Sequence, residues 1–378
     1  VTGGEAALGE VPGDLRAALF AGSPIIDVRA PVEFAQGALP ASINLPLLDD
    51  AQRAAVGTLY KREGQEAAIA LGRELVDGAD REAKSSAWLA AARARPGAWL
   101  CCLRGGLRSQ LAQRELRQLG VDLPLLEGGY KRARRFLLEA IERASARERF
   151  AVIGGFTGCG KTQLIEGLGP SRRALDLEAL ARHRGSAFGG RREPQPAQAT
   201  FENSLALALW RAAESPASGA ILLEDESRLI GRNELPAALF ARLSAAPLFV
   251  LEKPIEARAR ALVETYLVDY GLARAQLAGE LPPAAALGAL GADLRRAIYA
   301  IERRLGGAET RAVAELAEAA LEAHRREGRT EAHDAWATRL LRSYYDPLYQ
   351  RHLQKMESRI VARGDEASIR AALEAEAR

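Results

Sequence analysis

One stretch constrains this chain more than any other: Gly155-Phe156-Thr157-Gly158-Cys159-Gly160-Lys161-Thr162. The apolar run Phe150-Ala151-Val152-Ile153 precedes it, and Gln163-Leu164-Ile165-Glu166 follows with helical character. Strand, glycine-rich turn and helix start are the context that G-x-x-x-x-G-K-[ST] needs to be a phosphate-binding P-loop. Glycines let backbone N–H groups wrap an anion, the helix N-terminus adds partial positive charge, and Lys161 supplies a full one. Thr162 is placed to reach a Mg²⁺ ion on the phosphates. The predicted phosphate-binding residues are therefore Gly155, Thr157, Gly158, Cys159, Gly160, Lys161 and Thr162. The motif does not say which phosphate compound is held.

A length of 378 residues predicts two or three domains around this loop. The net charge of +3 does not announce a nucleic-acid partner, so any such contact must come from local basic clusters such as Lys131–Arg135, Arg295-Arg296, Arg303-Arg304 and Arg325-Arg326. Three cysteines, two of them adjacent, make a poor disulfide framework and fit a reducing, cytoplasmic setting. No apolar run is long enough to span a membrane, and the start Val1-Thr2-Gly3-Gly4-Glu5 lacks a signal-peptide pattern.

Strands alternating with helices predict a parallel α/β sheet on each side of the junction near residue 149. Before it, Pro24–Arg29, the stretch Gly37–Pro46, Ala98–Cys102 and Leu123–Gly129 read as strands or strand-bearing loops, with residues 49–96 helical. A basic helix over 130–148 reads as a linker. After it come strands at Ala174–Glu178, Ala220–Ser227 and Pro247–Leu251, with a polar loop at Gly185–Gln198. The helical run 255–345 is broken at Gly279–Pro283 and at Gly306-Gly307 and ended by Tyr344-Tyr345-Asp346-Pro347, and Ser358–Gly364 reads as a closing strand before a last helix. The expected division is 1–129, a linker 130–148, a P-loop core 149–254, a helical region 255–347, and 348–378 closing the P-loop domain.

A second chemical signal is Cys102-Leu103-Arg104-Gly105-Gly106-Leu107-Arg108. A cysteine at the end of an apolar strand begins a glycine-containing loop, and a helix follows. Loop N–H groups and the helix N-terminus then surround the sulfur and favour thiolate, and Arg104 and Arg108 add to the effect. Such a thiolate is a nucleophile or a carrier of a sulfur-like atom. Cys101 alternates to the opposite face and reads as core. Cys159 reads as structural.

This loop, together with Ile26–Phe34 and Gly37–Pro46, resembles a rhodanese domain, in which the loop cysteine carries sulfur or selenium. The resemblance makes Asp27 and Arg29 structural. A rhodanese domain fused to a P-loop domain is similar to the tRNA 2-selenouridine synthase family. Further stretches carry that likeness: Ala54–Thr58, Glu127–Lys131, Leu180–Gly189, Leu223–Arg228 and Tyr344–Pro347.

The resemblance implies an α/β fold with a rhodanese-like domain, then a P-loop NTPase-like domain with a large helical insertion. It implies a transferase acting on 2-thiouridine at the wobble position of tRNA anticodons. Geranyl diphosphate first alkylates the sulfur, then selenophosphate delivers selenium and the S-geranyl group leaves. The P-loop would then hold a diphosphate, with Mg²⁺ and no tightly bound cofactor. Partners would be tRNA and an enzyme that makes selenophosphate. Asp225, or Glu224, would orient the metal or the phosphate, and Arg182, His183, Arg184 and Ser186 would contact substrate or tRNA. Scattered His and Cys residues offer no protein cage for a metal. Tyr344, Tyr345 and Tyr349 are candidates either for stacking on anticodon bases or for the core. Two alternatives stay open from the residues alone: a P-loop small-molecule kinase with a fused rhodanese domain, and a nucleotide-regulated sulfur-carrier protein.

Overall fold

The chain was analysed as a computed structural model, which describes residues 11–169, 172–184, 194–269, 271–272 and 284–377. The expected break at Gly279–Pro283 and residues 185–193 of the polar loop, Ser186 among them, lie outside the described residues. Two units result: Val1–Arg147 with Pro196–Glu214, and Glu148–Gln195 with Ser215–Arg378. The predicted core 149–254 is thus divided, because 196–214 joins the first unit.

The first unit is built on three parallel strands, β1 (Ile25–Asp27), β2 (Ser42–Asn44) and β3 (Trp99–Cys101), in the order β2-β1-β3. All of β1 is buried, as expected of a central strand covered on both faces. The predicted last strand at Leu123–Gly129 contributes only one parallel bridge, Leu125 to Leu100. Residues 49–96 form three helices, Asp50–Glu63, Gln65–Leu75 and Gly78–Ala94. The first begins with a reciprocal cap: Gln52 N–H donates to Asp49 Oδ1 at 2.7 Å, and Asp49 N–H to Gln52 Oε1 at 3.0 Å. Trp88 from the third helix is buried against Ile26, Val28 and Leu100, and its Nε1–H donates to the Leu45 carbonyl at 2.9 Å.

The helix Gly129–Arg147 does not behave as a linker. Ala133, Phe136, Leu137, Ala140, Ile141 and Ala144 recur at helical spacing and are buried. The helix packs on Gln198–Ala213, which buries Phe201, Leu205 and Leu209. Phe136 meets Trp210 edge to face with ring centroids 4.9 Å apart. Burying each such side chain is worth roughly 1.5–3 kcal/mol, which is why this segment joins the first unit. Arg132 and Arg134 of its basic cluster pair with Asp14 and Glu202.

The second unit holds β4 (Phe150–Gly155), β5 (Ala174–Leu175), β6 (Ile221–Glu224), a small antiparallel pair β7 (Leu229–Ile230) and β8 (Asn233–Glu234), then β9 (Leu248–Leu251) and β10 (Ile360–Gly364). The main sheet is parallel in the order β10-β9-β4-β6-β5. Every residue of β4 is buried, so the P-loop leaves the sheet from its middle. The expected strand Ala174–Glu178 stops at Leu175, because Asp176 caps a helix at Leu177–Ala181 by accepting from Ala179 N–H at 2.7 Å.

Helices Ile255–Asp269, Ala284–Ala300, Gly307–Glu327 and Asp334–Leu340 share a separate core that includes Val263, Leu290, Val313 and Trp336. The chain does not stop at Tyr344–Pro347. A wide π-type turn at Leu341–Tyr345 leads straight into the helix Asp346–Lys355. Pro347 sits in that helix's first turn, where its missing N–H costs little. Among the described residues no helix is long and apolar enough to cross a membrane.

Candidate functional site

The P-loop runs from the end of β4 into the helix Lys161–Gly167. Gly155 has φ of 150°, and a Cβ there would lie 2.5 Å from both Cys159 Sγ and the Leu251 carbonyl oxygen, so only glycine fits. Lys161 Nζ donates to the Gly155 carbonyl at 3.2 Å, folding the side chain back over the loop. Burial opposes the charge on Lys161, but Cys159, Glu226, Glu224 and Glu178 together hold its pKa above the usual lysine value. The loop is braced from the helical segments. Arg258 donates to both oxygens of Asp346 at 2.8 and 2.7 Å and to the Thr157 carbonyl at 3.3 Å, with its guanidinium 5.2 Å from the Phe156 ring. Cys159 is buried, and desolvation pushes its thiol up, in keeping with a structural residue.

The end of β6 supplies the acids. Thr162 Oγ1–H donates to Glu224 Oε1 at 2.7 Å. Glu224 is buried, and its Oε2 has no hydrogen-bond partner among the described residues. Desolvation, then Glu178 and Asp176, push Glu224 up to about 7 against the pull of Lys161 and Thr162. A hydroxyl and an orphaned carboxylate oxygen beside a phosphate loop fit Mg²⁺, which takes one or two protein oxygens and completes its shell from phosphates and water. Among the described residues no group of three His, Cys, Asp or Glu is placed to hold a metal without such help.

Asp225 has other partners. Its carboxylate accepts from Tyr349 O–H at 3.0 Å and lies 3.1 Å from His352 Nε2. Tyr349 in turn accepts from Gly155 N–H at 2.6 Å, so its hydroxyl ties the P-loop to Asp225. Burial raises the Asp225 carboxyl, but the His352 and Tyr349 contacts and Lys161 outweigh it and leave the group below its ordinary value. His352 is raised by the same contact. Of the two acids singled out in the sequence, the structure therefore sets Glu224 at the hydroxyl of Thr162 and Asp225 at the side of the loop. Tyr344 is buried in the helical core and Tyr345 packs against it, so neither presents a free stacking face.

Arg182, His183 and Arg184 follow the helix Leu177–Ala181, whose Glu178 acts electrostatically on Lys161. Arg182 adopts φ of 49°, an uncommon conformation for a side-chain-bearing residue. Two of the three basic pairs of the helical region are engaged on the surface: Arg295 with Glu318, Arg296 with Asp293, Arg325 with Glu322 and Arg326 with Glu327.

Cys102 directly follows β3 in the first unit and is buried. Its Sγ lies 3.2 Å from Ser109 Oγ and 3.8 Å from the Gly106 carbonyl oxygen. Ser109 is in the first turn of the helix Leu107–Gln118, so the sulfur faces that helix's N-terminal end. The Glu127–Lys131 stretch holds the loop from behind: Tyr130 N–H donates to the Cys102 carbonyl at 2.9 Å and Lys131 N–H to Leu103 at 3.0 Å. Gly129, at φ of 56°, is pressed so closely on the Cys102 carbonyl that no Cβ fits. Arg104 is exposed at the loop. Arg108 is not free to charge the sulfur, because it donates to Glu33 at 2.5 and 3.3 Å. Burial raises Glu33, but this pair and Ala30 N–H bring it below its ordinary value. Cys101 points to the other face, and burial drives its thiol well up. Arg29 is buried on Asp27 and also donates to the Glu33 and Gly37 carbonyls, a structural role. Cys102, Arg104 and Arg108 line a cavity of about 1130 Å³.

Residues 148–378 match the family described as the tRNA 2-selenouridine synthase AAA domain. The chain is also 48% identical over 358 residues to the tRNA 2-selenouridine synthase of Cronobacter sakazakii, covering 93% of each. The chain belongs to the tRNA 2-selenouridine synthase family. The synthase of Cupriavidus pinatubonensis is 45% identical, covering 95% of this chain and 97% of its own, and that of Shewanella loihica is 44% identical, covering 93% and 92%.

Within this member of the synthase family, sequence reasoning missed Arg258, His352, Glu33 and Ser109. The first two come to the P-loop from far along the chain, and no local spacing marks them. Glu33 stood inside a stretch already quoted and Ser109 directly after one, and the signal available was their charge or hydroxyl beside Arg108 and Cys102.

Proposed function

We propose that this synthase-family chain converts wobble 2-thiouridine in tRNA to 2-selenouridine in two stages, using a rhodanese-like first unit and the P-loop. In the first stage the thiocarbonyl sulfur attacks C1 of geranyl diphosphate, the C1–O bond breaks, and diphosphate leaves with the electron pair while the base loses its N3 proton. Lys161, charged though buried, and the loop N–H groups neutralise the departing diphosphate. Thr162 and Glu224 would hold Mg²⁺, which supplies further neutralising charge. In the second stage selenium of selenophosphate attacks C2, the C2–S bond breaks, geranylthiolate leaves and takes a proton, and water removes the phosphoryl group. Cys102 serves this stage, and a selenophosphate-producing enzyme supplies the donor.

The observation that carries the reading is the placement of Cys102 at a cavity of about 1130 Å³ in a chain that also has a complete P-loop. A small-molecule kinase has no use for such a site, and a nucleotide-regulated sulfur carrier, which would also use Lys161, makes no change in the tRNA base. Incubation of 2-thiouridine tRNA with geranyl diphosphate, with and without selenophosphate, tests it by nucleoside mass. S-geranyl product without selenophosphate and selenouridine with it are expected. Phosphate transfer from ATP to a metabolite, with no change in the tRNA, would overturn it.

A further inference from the structure

The cavity beside Cys102 has a wall that neither selenophosphate nor a uracil ring needs. Helices Asp50–Glu63 and Gln65–Leu75 pack on each other, yet Ala68 is the one residue they bury. Their Val56, Tyr60 and Ile69 line the cavity, and Trp88, Leu107 and Leu111 line it from the other elements. Tyr60 is 57% exposed. An apolar helical face left open to water is costly unless something apolar covers it. Near 1130 Å³ the space is slightly above the range that takes a drug-sized organic molecule, and far beyond a tetrahedral oxyanion. Lys61, Arg73 and Arg104 line the same cavity and suit a polyanionic carrier.

We propose that this wall binds the geranyl chain of S-geranyl-2-thiouridine on tRNA, so that the leaving group of the second stage is seated in the unit that carries Cys102. The proposal rests on the two-stage reading above. It follows from what lies together: the residue assigned to the exchange at C2, a surface for a ten-carbon branched chain, and cations for the phosphates of the same molecule. A selenation site working on 2-thiouridine directly would need the cations and the cysteine and not the wall.

The test uses the full-length protein, selenophosphate, and two preformed tRNA substrates, one bearing S-geranyl- and one S-methyl-2-thiouridine. Both leaving groups are thiolates on an sp3 carbon, so the difference between them chiefly reports the chain. The wild-type protein is expected to prefer S-geranyl tRNA through a lower KM, by at least about tenfold for the carbons buried. Tyr60→Ser, at an exposed position, and Ile69→Asn are expected to reduce that preference by roughly tenfold. Equal KM values for the two tRNAs in the wild-type protein, or an unchanged preference in both variants, would overturn the proposal while leaving two-stage chemistry standing. Failure of the wild-type protein to convert S-geranyl tRNA would overturn the two-stage reading and the proposal with it.

Discussion

The Thr162 hydroxyl donates to one oxygen of Glu224 at 2.7 Å, while the other oxygen of that buried carboxylate has no partner among the described residues. A buried orphan of this kind costs free energy, and it is tolerated where a ligand completes it. If that ligand is Mg²⁺ brought with the diphosphate, Glu224→Gln raises the Mg²⁺ concentration needed for geranyl transfer by about 10–100-fold. An unchanged Mg²⁺ titration of geranyl transfer in this variant would contradict the assignment.

The same residue sets a pH response. Glu224 is raised to about 7 in the folded protein without ligand, above its ordinary carboxylate value. A raised carboxyl favours the folded state below the unfolded pKa, and this contribution is lost as pH rises through about 7. The ionised form is the one that binds a cation. Geranyl transfer at limiting Mg²⁺ should therefore climb through neutral pH in the wild-type protein, and Glu224→Gln should flatten that limb. A limb that persists in the variant assigns it to another group.

Tyr349 holds Gly155 and Asp225 with one hydroxyl, at 2.6 and 3.0 Å. Tyr349→Phe leaves the Gly155 N–H without that acceptor, at a cost of about 1–3 kcal/mol, and loosens the loop. Geranyl transfer should fall by roughly 10–100-fold, as expected for misplaced reacting groups. Conversion of preformed S-geranyl tRNA to selenouridine should not depend on this hydroxyl. Equal losses in both stages would show that the contact supports the whole fold and not the P-loop.

The helical region carries a different pH dependence. His324 Nδ1 and His333 Nε2 are 3.2 Å apart and buried, and His333 Nδ1 accepts from Trp336 Nε1–H at 3.0 Å. His324 Nε2 has no partner among the described residues. Desolvation lowers both histidines, His333 to about 4 with His324 and Arg260 adding to the effect. Between the ordinary histidine value and about 4 the unfolded chain binds more protons, so stability is lost as pH falls through that window. The loss at His333 is up to about 3 kcal/mol. Denaturant midpoints at pH 7.5 and pH 5, read as the difference between the wild-type protein and His333→Gln so that the opposite contribution of Glu224 cancels, measure it, and an equal pH shift in both proteins would contradict it.

Much of this was legible in the residues. The P-loop is local in sequence, and its glycines, Lys161 and Thr162 stand in the order that the motif requires. The same holds for Cys102 and the helix after it. What local pattern could not supply was long-range pairing. Helix Gly129–Arg147 carries an apolar face at helical spacing, but nothing near it says that the partner is Gln198–Ala213. Arg108 reads as a charge for the sulfur until Glu33, from the far end of the first unit's sequence, takes it. Asp225 and Glu224 are adjacent in sequence, and which of them meets Thr162 depends on which way each side chain leaves the end of β6.

The central claim is that Cys102 and Lys161 serve different stages of one conversion. The direct measurement is nucleoside mass after reaction of Cys102→Ala and Lys161→Ala with two tRNAs, one bearing 2-thiouridine and one preformed S-geranyl-2-thiouridine, each given geranyl diphosphate and selenophosphate. The account predicts that Cys102→Ala turns 2-thiouridine into S-geranyl-2-thiouridine and stops there. Lys161→Ala should lose geranyl transfer by on the order of 10²–10³-fold, yet still convert the S-geranyl substrate to selenouridine. Full selenation by Cys102→Ala, or unimpaired geranyl transfer by Lys161→Ala, would contradict it.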